Sequence, residues 1–200
     1  MLVNVAGASF HVRDGTANLY GHDREAIEKY WSPSAGDVCL DIGTGPGTWS
    51  LVALAKGANV IGFEPRPLSS QLLLEAIQLS GFSRFCLFPV GLWKDESRLS
   101  FSKEASLKWG ERESYIPVTR LDSLLELYPS IGKAKYINID VEGSELEVIE
   151  GAKEVIRTSR ARIVVEAHRN VSRAVLMRQL SEITPYSYRN DGDFVVADSL

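Results

Sequence analysis

Between Val38 and Gly47 the chain runs Val-Cys-Leu-Asp-Ile-Gly-Thr-Gly-Pro-Gly, and helix-forming residues follow at once, from Thr48 to Ala55. A short apolar run that ends in an acid and breaks into alternating glycines reads as strand, tight turn, helix. Glycine suits such a turn because the backbone bends sharply and comes close to a ligand, where a Cβ would clash. A second apolar run, Asn59 to Phe63, ends in Glu64 about 20 residues further on, where an acid accepts hydrogen bonds from ribose hydroxyls in folds of this kind. The two features together call for a nucleoside-bearing cofactor at the carboxyl ends of parallel strands.

The rest of the chain continues the alternation. Val38–Asp41, Val60–Phe63, Phe85–Val90, Tyr136–Asp140 and Arg162–Glu166 read as core strands, and Trp49–Ala55, Leu68–Leu79 and Val171–Leu180 as helices. Apolar strands separated by helices predict a parallel sheet covered on both faces, and right-handed crossovers reduce this to a doubly wound α/β sheet. Tyr186–Arg189 and Asp193–Ala197, around Asn190-Asp191-Gly192, predict a final antiparallel pair. A hairpin turn is read at Asp14-Gly15, a helix from Asp23 to Trp31, and Pro46 at the first helical position of its helix. Ser144 and Glu147 form a capping box that opens a helix carrying Leu146, Ile149 and Ala152. The whole chain, residues 1–200, reads as one domain, with residues 1–36 as an N-terminal extension and residues 92–117 as an inserted hairpin or lid. In that excursion Trp93, Phe101, Trp109 and Tyr115, with Lys103, Lys108 and Arg112, are candidates for a substrate wall.

Composition narrows the function classes. A hydrophobic content of 44% with 24% charged residues is that of a globular domain rather than a disordered one. The net charge of −4 argues against a nucleic-acid partner. No apolar run approaches the roughly 20 residues of a membrane span, and the first residues lack a basic, then apolar leader. The expected compartment is the cytoplasm. Cys39 and Cys86 sit inside apolar strands and read as buried core thiols, not as a disulfide framework.

The glycine spacing bears on which cofactor it is. A nicotinamide fingerprint needs Gly-x-Gly-x-x-Gly or Ala; counted from Gly43 the last position is Thr48, and from Gly45 it is Ser50. The observed Gly-x-Gly-x-Gly, preceded by Asp41, resembles the first motif of class I S-adenosylmethionine (SAM) methyltransferases. More of the chain resembles one branch, the FkbM family. The matching segments are Asp41–Gly47, Phe63-Glu64-Pro65, Thr119–Leu125, Ile139–Glu145 with Glu150-Gly151-Ala152, and Val165-Glu166, in the family's order. Two positions depart from the pattern: Gly45 stands where many members carry Asn, and Asn138 where many carry Lys.

The resemblance implies a Rossmann-like fold and SAM as cofactor. It implies that Asp41, Gly43, Thr44, Gly45 and Gly47 shape the methionine pocket and that Glu64, with Pro65, binds the ribose. Adenine would lie near Pro89, Val90 and Gly91. It further implies methyl transfer to a hydroxyl of a small molecule or sugar, with no metal. A hydroxyl is a poor nucleophile and needs a base within hydrogen-bond reach. The strands ending in Asp41, Glu64, Asp140 and Glu166 converge on one rim, so the candidates are Asp140, Glu142, Glu166 and His168. His168 has the unperturbed pKa best placed for base work. Trp49 lines the site or packs beneath it. Asp140, Glu166 and His168 are also a set of the kind that holds a divalent cation. Two other readings share the fold: a nicotinamide or other nucleotide enzyme, and a non-catalytic interaction module. A nucleic-acid methyltransferase is disfavoured because Asp140-Val-Glu-Gly stands where an Asn/Asp-Pro-Pro-Tyr loop would be.

Overall fold

The structure, a computed structural model, describes residues 1–101, 114–168 and 170–200. The chain opens with β1 (Leu2–Val5) and β2 (Ala8–His11), an antiparallel hairpin. Its turn is Ala6-Gly7, with φ of 49° and 73°, and not Asp14-Gly15 as the sequence suggested. Two left-handed residues between paired strands match the strand twist, and Asp14-Gly15 lies beyond β2 with no partner strand to return to. Helix α1 (Arg24–Tyr30) then buries Ala26, Ile27 and Tyr30, as its spacing predicts.

The central sheet contains β3 (Val38–Ile42), β4 (Asn59–Phe63), β5 (Phe85–Phe88), β9 (Ala134–Ile139), β10 (Arg162–Glu166), β11 (Tyr186–Asp191) and β12 (Phe194–Ser199). Its order is β11-β12-β10-β9-β3-β4-β5. Every pairing from β10 to β5 is parallel, and β12 runs antiparallel to β10 and β11. Successive side chains point to opposite faces. Leu40, Ile42, Ile137, Ile139, Ile163 and Val165 therefore share one face, packed against α5 (Glu145–Glu150), α6 (Lys153–Ser159) and α7 (Arg173–Ile183). Cys39, Val60 and Val164 share the other, beneath α2 (Thr48–Ala55), α3 (Pro67–Ser80), the hairpin and Trp31. Full burial of Trp31 alone contributes roughly 4–6 kcal/mol of transfer free energy, before the entropy of ordering it.

The chain winds outward from β3 through β4 to β5, then returns to β9 on the other side of β3. The sheet thus reverses direction between β3 and β9, the place where open α/β sheets bind ligands. Over that end lies a second, three-stranded sheet. In it β6 (Gly91–Leu92) runs parallel to β8 (Ser114–Thr119), and β7 (Ser97–Phe101) pairs antiparallel with β8. The predicted hairpin strands are thus present. Lys103, Lys108, Trp109 and Arg112, and the side chain of Phe101, lie outside the described residues.

Several local expectations are corrected. Helix α2 begins at Thr48, because Gly47 holds a left-handed φ of 102°; Pro46 sits in the turn and not at the first helical position. The capping box does not form: the Ser144 side chain makes no cap hydrogen bond. The helix after it divides at Gly151-Ala152 into α5 and α6. Two contacts cause the division. A Cβ on Gly151 would stand 2.1 Å from the Trp93 carbonyl oxygen, so the loop after β6 presses on this backbone. Asp122, in α4 (Leu121–Leu125), accepts the N–H groups of Glu154 and Val155 at 3.0 Å and caps α6 from outside. Cys39 is fully buried and its thiol pKa is pushed up by burial, whereas Cys86 is exposed. The second expectation failed because β5 is the edge of the sheet.

Candidate active site

At the carboxyl ends of β3 and β9, a cleft of about 860 Å³, counting the space open to solvent, runs beneath the three-stranded sheet. Ile42 and Gly43, Phe63 and Glu64, and Asp140 and Val141 bring the ends of β3, β4 and β9 to its wall. The glycine turn is clamped to β4. The N–H groups of Gly43 and Thr44 donate to the Phe63 carbonyl at 2.8 and 3.2 Å, and that of Gly45 donates to Glu64 Oε2 at 2.8 Å. Gly43 has φ of 81°, and a Cβ on it would lie 1.8 Å from the Asp140 carbonyl oxygen. Only a residue without a side chain lets the two strand ends meet there.

Glu64 is 1% exposed, yet its carboxylate borders the cleft. Arg66 binds it in the fork-like manner of guanidinium and carboxylate, through Nε at 3.0 Å and Nη2 at 3.3 Å. Pro65 and Gly91 also line the cleft, while Val90 packs into the core. Thr44 is buried in the turn.

The other wall is a group of titratable side chains. Asp140 is tied to β3 by its N–H, which donates to the Ile42 carbonyl at 2.9 Å. Its carboxyl pKa is pushed up to about 8, first by burial and then by the neighbouring Glu166 charge. Glu166 is also raised, chiefly by burial and then by Asp23. His168 Nε2 lies 3.7 Å from Asp140 and 3.3 Å from Glu142, and Nδ1 lies 2.7 Å from Glu145 Oε1. Glu145 is fully buried and also accepts the Gly143 N–H at 3.0 Å. The hydrogen bond to Glu145 raises the His168 pKa to about 9. The imidazole is therefore a cation at neutral pH, with Nδ1–H donated to Glu145 and Nε2–H directed at the acids.

Residues 41–188 match the sequence profile of the methyltransferase FkbM domain. The chain belongs to the FkbM methyltransferase family. Among curated proteins it is 30% identical over 172 residues to the hexuronic acid methyltransferase AglP of Haloferax volcanii, covering 80% of this chain and 70% of that one. Among solved structures, methyltransferase FkbM from Methylobacillus flagellatus KT superposes with a TM-score of 0.64 at 20% identity. It covers 88% of this chain, which spans 46% of that one. A precorrin-6y C5,15-methyltransferase from Geobacter metallireducens GS-15 gives 0.55 at 13% identity, covering 96% and 94%. The last two likenesses show the fold. Membership in FkbM displaces the nicotinamide reading of the glycine turn. No helix among the described residues is long and apolar enough to cross a membrane.

In this FkbM chain the predicted site residues separate into two sets. Gly43, Glu64, Pro65, Gly91, Asp140 and Glu142 meet at the cleft, with His168 behind Asp140 and Glu142 and Glu166 beside Asp140; Thr44, Gly45 and Gly47 do not line it, and Gly47 packs on Leu73. Asp41 does not: it is fully buried on the α2 face of β3, opposite Asn138 in register. Ser50 Oγ donates to its Oδ2 at 2.5 Å and Asn138 Nδ2 to its Oδ1 at 2.9 Å. Burial raises its pKa to about 6 despite those two donors. The rim of four acids is thus a rim of three, because alternation along β3 turns Asp41 inward. Asn138, the departure from the FkbM pattern, serves Asp41 and not Asp140. Trp49 packs against Trp31 and donates its indole N–H to Asp23 Oδ2 at 3.0 Å.

The expected cation set also changes. Asp23, Asp140 and Glu166 are the described side chains whose ligand atoms fall within 4.8 Å of one another; Nδ1 of His168 is committed to Glu145. Sequence reasoning missed Asp23, Arg66 and Glu145. Arg66 could have been found from its place directly after Glu64-Pro65, but the other two carry no local signal.

Proposed function

We propose that this chain, acting as one catalytic unit, transfers a methyl group from SAM to a hydroxyl of a sugar. The observation that carries this reading is the pairing of two walls: a glycine turn with no room for a side chain at Gly43, and beside it an acid whose pKa is raised to about 8. The first wall fits a nucleoside methyl donor. The backbone at Gly43 provides a floor without a side chain, and the Glu64 carboxylate is an acceptor suited to ribose hydroxyls. When bound, SAM supplies an activated methyl group, so the protein's work is positioning, exclusion of water and proton handling.

Asp140 is the general base of this proposal. A carboxyl raised to about 8 is better matched to an alcohol proton than an ordinary carboxylate. Burial first, and then the charge of Glu166, hold it there. His168, cationic and oriented by Glu145, donates Nε2–H toward the acceptor oxygen or the acids beside it, which is a different role from the base its type suggested. Trp93, Leu99 and Ile116 offer an apolar wall of the kind sugar rings pack on. The likeness to AglP, a hexuronic acid methyltransferase, supports a carbohydrate acceptor.

The test is methyl transfer from labelled SAM to a panel of neutral and acidic sugars, with the product identified by mass and NMR. A methyl ether establishes the reading; a methyl ester or N-methyl product refutes the hydroxyl. Binding of S-adenosylhomocysteine with no transfer to any acceptor would favour a non-catalytic module. Deleting residues 103–111 is expected to abolish acceptor binding and leave S-adenosylhomocysteine binding intact.

A further inference from the structure

Glu64 cannot hold Arg66 and a ribose at once. Its two oxygens accept four N–H groups: Oε1 takes the backbone N–H of Arg66 at 2.8 Å and Nε at 3.0 Å, and Oε2 takes Gly45 N–H at 2.8 Å and Arg66 Nη2 at 3.3 Å. A carboxylate offers about four acceptor sites. All are filled, so a ribose hydroxyl has no lone pair to meet. The two backbone donors are fixed by the glycine turn and by the start of α3. The guanidinium is the movable pair, standing at the cleft wall with its side chain 29% exposed.

Displacement leaves a cation in a cleft with Trp93, Leu99, Ile116 and Val118 on its walls. A guanidinium stripped of a carboxylate needs another anionic partner, and its planar fork fits a carboxylate in two parallel hydrogen bonds. Arg66 is the one basic side chain among the described lining residues of the cleft. The charge of Glu142, which also lines the cleft, draws it toward the half where an acceptor would sit.

We propose that Arg66 is a latch on Glu64, opened when the cofactor ribose takes that carboxylate, and that the released guanidinium binds the carboxylate of an acidic sugar acceptor. The methyl donor is then bound first, and recognition of the acceptor's charge depends on it. This inference rests on the methyl-transfer reading above and adds to it the order of binding and the charge of the acceptor.

Calorimetry separates the two. S-adenosylhomocysteine is titrated into wild type, Arg66→Gln and Arg66→Lys. D-glucuronate and D-glucose are then titrated with and without saturating S-adenosylhomocysteine. The expected result is that Arg66→Gln binds S-adenosylhomocysteine as tightly as wild type or up to 10-fold more tightly, because the competing grip on Glu64 is gone. Glucuronate should bind wild type at least 10-fold more tightly once S-adenosylhomocysteine is present, and Arg66→Gln should lose that gain. Arg66→Lys, which keeps the charge and loses the fork, should recover part of it, and glucose should be indifferent to all three. Weaker S-adenosylhomocysteine binding in Arg66→Gln would make Arg66 a cofactor ligand and overturn the latch. Glucuronate affinity that ignores either Arg66 or S-adenosylhomocysteine would overturn the acceptor role while leaving methyl transfer standing. No S-adenosylhomocysteine binding by wild type would remove the methyl-transfer reading, and the latch with it.

Discussion

Replacing Gly43 and Gly45 by alanine, one at a time, separates backbone strain from collision at the mouth of the site. Both residues hold left-handed φ, 81° and 54°. An alanine there costs about 1–2 kcal/mol for the conformation alone. Their surroundings differ. At Gly45 the nearest atom to a new Cβ is Arg66 Nη2 at 3.9 Å, ordinary contact with the end of a flexible chain. At Gly43 it is the Asp140 carbonyl oxygen at 1.8 Å, with its carbon at 2.8 Å. Backbone must move there, adding about 1–3 kcal/mol of overpacking. The hydrogen bond from Asp140 N–H to the Ile42 carbonyl is lost with it, about 1 kcal/mol more. The excess for Gly43→Ala is then about 3 kcal/mol, which at about 3 °C per kcal/mol for a chain of this size is about 9 °C in Tm. Thermal unfolding followed by circular dichroism reads the stability, and calorimetry with S-adenosylhomocysteine reads the cleft, which Gly43→Ala should disable and Gly45→Ala should spare. Equal melting temperatures for the two variants would refute the close approach of β3 and β9.

Asp140→Asn should lower turnover by at least about 100-fold with S-adenosylhomocysteine affinity unchanged within about 2-fold; full turnover in both Asp140→Ala and Glu166→Ala would remove the acid wall from the chemistry. In wild type, kcat should climb as pH rises toward 8 while Asp140 ionises, then fall above about 9 as His168 loses its proton; a flat profile between pH 6 and 9 contradicts this assignment. Glu145→Gln should move the His168 pKa back toward 6.5, seen as an earlier midpoint in an NMR titration of its ring protons. Asp41 binds its proton more tightly folded than unfolded, so stability rises as pH falls through about 6. Between pH 7 and pH 5 wild type should gain about 1 kcal/mol over Asp41→Asn in urea titrations, and a constant difference would mean that Asp41 does not titrate there.

What the sequence made legible was whatever depends on local pattern. The apolar strands, the glycine turn and the acids at strand ends were visible because each is written in neighbouring residues. Errors arose where a distant segment decides. Alternation along β3 predicts that Leu40 and Asp41 face opposite ways, but only the register of β9 shows that Asn138 waits opposite Asp41. The α5–α6 helix divides because Trp93 and Asp122, from other parts of the chain, press on and cap it. The setting of His168 was hidden for the same reason. The type of His168 suggested a base, and the buried Glu145, which looks like any helix-surface acid in sequence, makes it a cation.

Asp23 lies ahead of residue 41, outside the stretch that defines the family, yet its carboxylate stands among those of Asp140 and Glu166. The leading segment thus adds a carboxylate to the acid cluster of the stretch that follows it. Exchanging this forepiece would alter the acidity of Asp140 and Glu166 with no change to residues 41–188. A graft of residues 1–40 between relatives would carry that tuning with it.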